Sequence, residues 1–113
     1  GEFNAPEYGF SVQKTEVLAT NLPIAVHAHA RKSETFVIIK GGGFVLAAKV
    51  DKTGKLLENP KKTLLKIDSV VYFPPLAGHT FYLNPGSKMI CYSSEPYDEK
   101  NPDFISCPDL VMK

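Results

Sequence analysis

The sequence predicts an all-β protein built as a single jelly-roll barrel, and three observations carry that prediction. Apolar and β-branched residues come in short runs, at 11–19, 24–29, 35–39, 43–50, 62–67, 70–73, 80–83 and 88–93. Almost nowhere does the three-and-four spacing of an amphipathic helix persist over ten residues. Gly, Pro, Asn and Asp cut the runs at close intervals. Gly41-Gly42-Gly43 joins two runs, and Asp51-Lys52-Thr53-Gly54 reads as a hairpin tip. Pro74-Pro75 and Asn84-Pro85-Gly86 mark further reversals. Many short strands with tight turns describe a sandwich or barrel, and a jelly roll suits a chain of 113 residues.

That length supports one modest core and no second one. Gly1-Glu2-Phe3 reads as a cloning scar, which leaves residues 4–113 as one domain. From about residue 95 the chain is rich in Pro and Asp, so an irregular tail is expected to wrap over the barrel. Thirteen basic residues nearly balance twelve acidic ones, for a net charge of +1. A nucleic-acid-binding surface needs a marked cationic excess, so no nucleic-acid partner is expected. No apolar run approaches the ~20 residues of a membrane-spanning helix, so no membrane partner is expected either. Cys91 and Cys107 fit neither a zinc knuckle nor a redox pair, and two reduced thiols suit a cytoplasmic protein. Cys91 lies within Met89-Ile90-Cys91-Tyr92 and reads as core.

The chemistry of the chain gathers at its three histidines. His27 and His29 are two residues apart, so on a strand both imidazoles point to one face. Glu34 opens the next run. A tight connection through residues 30–33 would return it antiparallel beside the histidines, with Glu34, Phe36 and Ile38 sharing a face. An ionised carboxylate among apolar neighbours is costly unless a cation or a hydrogen-bond network compensates it, and an ion held by the imidazoles would do so. His79 follows a constrained Pro-Pro turn and begins a later strand, from which it could supply a fourth ligand. Three neutral imidazoles and one carboxylate suit one divalent ion, Fe, Mn, Ni, Co or Zn, with positions left for water or substrate.

With those residues in view, the chain resembles the cupin superfamily. His27-Ala28-His29, four residues, Glu34, six residues and Gly41 match the spacing of the first cupin motif. Asn21 stands where a Gly usually precedes the first His. Pro74 and His79 keep the spacing of the second motif, with Leu76 in place of its Gly, Gly78 left to make the turn by other means, and Asn84 five residues past the His instead of four. Within cupins the chain is most similar to the small WbuC-type cupin-fold metalloproteins. The stretches that carry this likeness are 27–41, 50–55, 73–79 and Glu95-Pro96-Tyr97-Asp98, where Glu95 replaces a Gly. The resemblance implies a cupin jelly-roll barrel with a metal centre at His27, His29, Glu34 and His79.

Two functions follow as expectations. One is a metal-dependent enzyme acting on a small polar, sugar-like molecule, of isomerase, epimerase or dioxygenase type, in which the ion acts as a Lewis acid or an oxygen-activating centre. The other is a binding or structural cupin without turnover, favoured by the lack of an obvious general base beside the ligands. Phe36, Tyr72, Phe81, Tyr92 and Tyr97 are candidate pocket residues, each also readable as core or, for Tyr97, as a tail anchor. Runs 36–39 and 44–48 are apolar on both faces, more than a small interior needs. That excess predicts a homodimer by sheet-on-sheet packing, with segment 8–19 crossing over.

Overall fold

The computed structural model describes residues 2–5, 10–17, 23–95 and 98–112. Ten strands follow in order: β1 Glu2–Ala5, β2 Phe10–Glu16, β3 Ile24–Ala28, β4 Glu34–Lys40, β5 Gly43–Lys49, β6 Lys61–Leu65, β7 Val70–Phe73, β8 Ala77–Leu83, β9 Lys88–Ser93 and β10 Ile105–Ser106. They form two five-stranded antiparallel sheets, β1-β2-β9-β4-β7 and β10-β3-β8-β5-β6. The expected jelly roll is therefore present as two packed sheets whose hydrogen bonding does not close into a continuous barrel. Among the described residues there is no helix, and none long and apolar enough to cross a membrane.

Alternation places the core. On β4, Glu34, Phe36 and Ile38 are buried while the residues between them are not. Phe36 and Ile38 meet Phe73, Met89 and Cys91 of their own sheet and Val45, Phe81 and Leu83 of the other. Strand β5 breaks the alternation, with Val45, Leu46 and Ala48 all buried. Val45 faces the sandwich interior, whereas Leu46, Ala48 and Val50 form a second cluster with Ile105, Cys107 and Leu110 of the tail. The apolar excess of run 44–48, which the sequence assigned to a dimer, is thus covered within the chain. Thr80 Oγ donates to the Leu110 carbonyl (2.6 Å), and Cys107 N–H donates to the Val26 carbonyl (3.0 Å), pinning the tail to this outer face.

Three expectations change in detail. Glu34 does not return beside the histidines: β4 pairs with β7 and β9, and β3 pairs with β8 and β10. Residues 30–33 cross from one sheet to the other, so Glu34 faces the histidines across the interior. His79 is the third residue of β8, not its start, because Ala77 and Gly78 already pair with Lys49 and Ala48. The turn before β8 is made by Leu76 itself (φ +63°), at the position where the cupin motif has Gly, and not by Gly78. Its N–H donates to the His29 carbonyl (2.7 Å) and its carbonyl accepts from Val50 N–H (3.0 Å), which holds a strained residue in place.

Gly41, the last element of the first motif, has a physical requirement of its own. It adopts φ +74°, and a Cβ there would lie 2.3 Å from Ser87 Oγ and 2.9 Å from Ser87 Cα. Gly41→Ala should therefore lower stability by about 1–3 kcal/mol in urea denaturation. A loss within ~0.5 kcal/mol, as for an ordinary surface change, would show that the loop relaxes freely.

Candidate metal centre

Strand β3 reaches the site through a bulge. Ala25 pairs with Thr80 and His27 with His79, so Val26 is the extra residue. Ala25 (φ +80°) and Val26 (φ +51°) both lie in the left-handed region, which is unfavourable for a β-branched side chain. This local strain sets His27 opposite His79, with ring centroids 4.9 Å apart. His29 lies just past the strand end, its ring 4.6 Å from that of His27. Glu34 enters from the facing sheet. One ligand-type atom from each of His27, His29, Glu34 and His79 lies within 4.8 Å of the other three. Ligands ~2.1 Å from an ion are ~3.0 Å apart when cis and ~4.2 Å when trans, so small movements suffice to close the set on a metal.

Hydrogen bonding fixes which imidazole nitrogens face inward. Nδ1 of His29 lies against the Asp103 carbonyl, and Nδ1 of His79 is 3.1 Å from the Ala77 carbonyl. A carbonyl only accepts, so each Nδ1 carries a proton, and a ring with that single proton presents a bare Nε2, as a metal ligand must. Those Nε2 atoms lie 2.8 and 3.2 Å from Glu34 Oε1. All three atoms are buried, and among the described residues none has a hydrogen-bond partner of acceptable geometry. Lone pairs converging on lone pairs in a buried site repel unless a cation stands among them. The donor set fits one divalent ion on this ground.

Electrostatics agree. Burial first, then the neighbouring His79 and His29, lower the His27 imidazole to about 3, which keeps it neutral and able to ligate. Burial raises the Glu34 carboxyl, and donated N–H bonds and positive charge from His29 and His79 would bring it well below the usual carboxylate range. With each ring's proton held at Nδ1, a bound cation would have to supply that charge instead. The other oxygen, Oε2, accepts the Cys91 thiol (3.2 Å) and the Ser93 hydroxyl (3.4 Å). Burial and then the adjacent Glu34 push the Cys91 thiol up to about 12, so it remains a donor.

Aromatic rings wall the cluster. Phe73 stacks on His79 at 4.4 Å, Phe36 and Phe81 meet the same ring at 5.5 and 6.0 Å, and Phe104 stands edge-on to His27 at 5.3 Å. Of the candidate pocket residues, Phe36 and Phe81 therefore lie at the cluster. Tyr72 and Tyr92 lie on the outer face of the first sheet, 61% and 46% exposed, and are not brought to it. Tyr97 falls outside the described residues.

Residues 30–33 are tied by a residue the sequence did not single out. The Asp103 carboxylate accepts from the backbone N–H groups of Ala30 (2.6 Å), Arg31 (2.8 Å) and Lys32 (2.9 Å). Burial opposes its ionisation, but these three donors prevail and lower its pKa. Cys91, Ser93, Phe73 and Phe104 were also not read as site residues. Alternation on 89–93 puts Met89, Cys91 and Ser93 on one face, but only the pairing of Glu34 with Ser93 shows what that face meets.

No family model and no curated protein sequence matches the chain. Solved structures do. The capsular polysaccharide assembling protein CapF from Staphylococcus aureus superposes with a TM-score of 0.67 at 22% identity, over 87% of this chain and 26% of that one. QdtA, a sugar 3,4-ketoisomerase from Thermoanaerobacterium thermosaccharolyticum solved in complex with TDP, gives 0.69 at 19% identity, over 88% and 71% of the two chains. WlaRA, a TDP-fucose-3,4-ketoisomerase from Campylobacter jejuni, gives 0.68 at 15% identity, over 88% and 73%. The chain thus spans about a quarter of the length of CapF and most of the other two. These likenesses establish the fold as the cupin type.

Proposed function

We propose that the protein is a metal-binding cupin of the small WbuC-type, holding one divalent ion through His27, His29, Glu34 and His79 and presenting it to a small polar, sugar-like molecule. The observation that carries this reading is the convergence of two bare Nε2 atoms on Glu34 Oε1 in a buried site without a hydrogen bond among them. When bound, the ion would supply Lewis acidity toward a carbonyl or hydroxyl oxygen, or oxygen activation if it is iron. The chain's own residues hold the ligand atoms, pack Phe36, Phe73 and Phe81 around the His79 ring, and leave His27 as the least buried of the four ligands. Sugar-modifying neighbours of the same fold support the ligand class.

Metal added to metal-free protein at ~100 times its Kd should stabilise it by about 2.7 kcal/mol. For a domain of this size the melting temperature should then rise by on the order of 10 °C. Elemental analysis without any divalent metal, together with no thermal shift for Fe, Mn, Ni, Co or Zn, would overturn the reading. A binding module without turnover is the second reading. It is favoured because, among the described residues, Cys91 is held as a thiol and Asp103 is committed to backbone donors, so neither serves as a base. Turnover of a sugar-type substrate that vanishes in His79→Ala with the fold intact would select the enzyme.

A cytoplasmic setting belongs to the same proposal, since Cys91 and Cys107 are both free and buried. So does a homodimer. With run 44–48 covered by the tail, one apolar patch that could pair is the outer face of the first sheet, where Ile39, Val70, Tyr72 and Tyr92 are exposed together. Light scattering should give twice the monomer mass at micromolar concentration, and Tyr72→Lys should return the monomer. A monomer mass for the parent protein would exclude the dimer.

A further inference from the structure

The two oxygens of Glu34 have different surroundings. Oε1 faces the imidazoles of His29 and His79, while Oε2 is turned toward β9, where the Cys91 thiol and the Ser93 hydroxyl donate to it at 3.2 and 3.4 Å. The two donors stand 3.7 Å apart on alternate residues of β9 and are 4% and 7% exposed. Strand register fixes them under the carboxylate, since Glu34 pairs with Ser93 and Phe36 with Cys91. Both donors are neutral, so they hold the second oxygen without cancelling the charge that the first offers to an ion. Neither residue belongs to the set of four ligand-type side chains.

We propose that Cys91 and Ser93 are positioning residues that restrict Glu34 to one ligating oxygen, and so reserve room at the ion for small molecules that chelate through two adjacent oxygens. This rests on the metal-centre reading above. Three imidazole nitrogens and one carboxylate oxygen fill four positions, and a second carboxylate oxygen would take a fifth. A freed Oε2 could swing onto the ion and compete with the second arm of a chelating ligand. The chemical class selected is the vicinal hydroxyl–carbonyl or diol pair that sugars carry.

Cobalt(II) serves as the ion and visible absorption as the readout, with acetohydroxamate as a two-oxygen probe and azide as a one-atom probe. The Cys91→Ala/Ser93→Ala protein should bind acetohydroxamate ~10-fold or more weakly than the parent, the scale of lost support around metal ligands, with azide changed by less than ~2-fold. Ser93→Ala alone, the milder change, should shift acetohydroxamate in the same direction by a smaller factor. Cys91→Ser keeps a donor and should restore most of what Cys91→Ala loses, which a purely packing role for the sulfur would not predict. Parent affinity for both probes in the double and the Ser93→Ala variants would overturn the proposal. Equal loss for both probes would do the same. A parent protein that takes up no cobalt would instead overturn the metal centre on which the proposal stands.

Discussion

Glu34→Gln should abolish stabilisation by divalent metal while leaving the metal-free protein at least as stable as the parent. In the metal-free parent, Glu34 Oε1 lies 2.8 and 3.2 Å from two nitrogens that, with protons held at Nδ1, offer only lone pairs. A glutamine fits the same space with the opposite hydrogen bonding at one end. Its amide oxygen can keep accepting from Cys91 and Ser93, and its NH2 can donate to the bare Nε2 atoms. The substitution removes a buried charge and satisfies buried acceptors, so metal-free stability should hold or rise. Metal affinity should fall by at least ~100-fold, because partners that merely orient ligands are already worth ~10–100-fold. The competing picture, a structural ion pair between Glu34 and a protonated imidazole, predicts the reverse. Breaking such a pair by removing one partner costs about 3–5 kcal/mol. Urea denaturation in the presence of a chelator, with and without added zinc, separates the two, and a strongly destabilised metal-free Glu34→Gln protein would sink the metal reading.

The residues that made this site legible are those whose spacing is local. His27 and His29 share a face by strand periodicity alone, and Glu34, Phe36 and Ile38 alternate inward as expected. What periodicity cannot show is the sheet a strand joins. Glu34 reaches the histidines from across the interior because four residues between them change sheets, which no two-residue alternation encodes. Leu76 shows a different limit. A Gly at that position would have signalled a positive φ, and Leu hid it, although surrounding backbone bonds enforce it. The tail was hardest to read. Asp103 touches the residues after His29 across more than 70 positions of sequence, and Cys107 and Leu110 cover an outer sheet face whose apolar character looked like a subunit interface. Such long-range pairing leaves no local pattern.

Asp103→Ala should weaken both the fold and the metal centre through one loss. Its carboxylate gathers three consecutive backbone N–H groups, and its carbonyl receives His29 Nδ1. The same residue therefore fixes the crossover that carries the chain to Glu34 and the ring orientation of His29. Hydrogen bonds to a charged acceptor are worth about 1.5–3 kcal/mol each when well shielded. Here water reaches two of the N–H groups, so a total of about 2–3 kcal/mol is expected at neutral pH. Alanine keeps the main-chain carbonyl that meets His29 Nδ1 and loses only the carboxylate that anchors it. Metal affinity should therefore fall by up to ~10-fold, the low end for lost support around a ligand. Asn at this position keeps one acceptor and should fall between the two proteins. The pH dependence has a definite sign. The Asp103 pKa is lowered on folding, so its contribution is complete above the ordinary value of 3.8 and fades as pH falls from there through the lowered folded value. The parent and Asp103→Ala proteins should therefore differ fully at pH 7 and converge in acid. Equal stability at pH 7 with an unchanged metal affinity would mean that the crossover holds its shape without the Asp103 carboxylate, and that the main-chain carbonyl of residue 103 alone keeps His29 oriented.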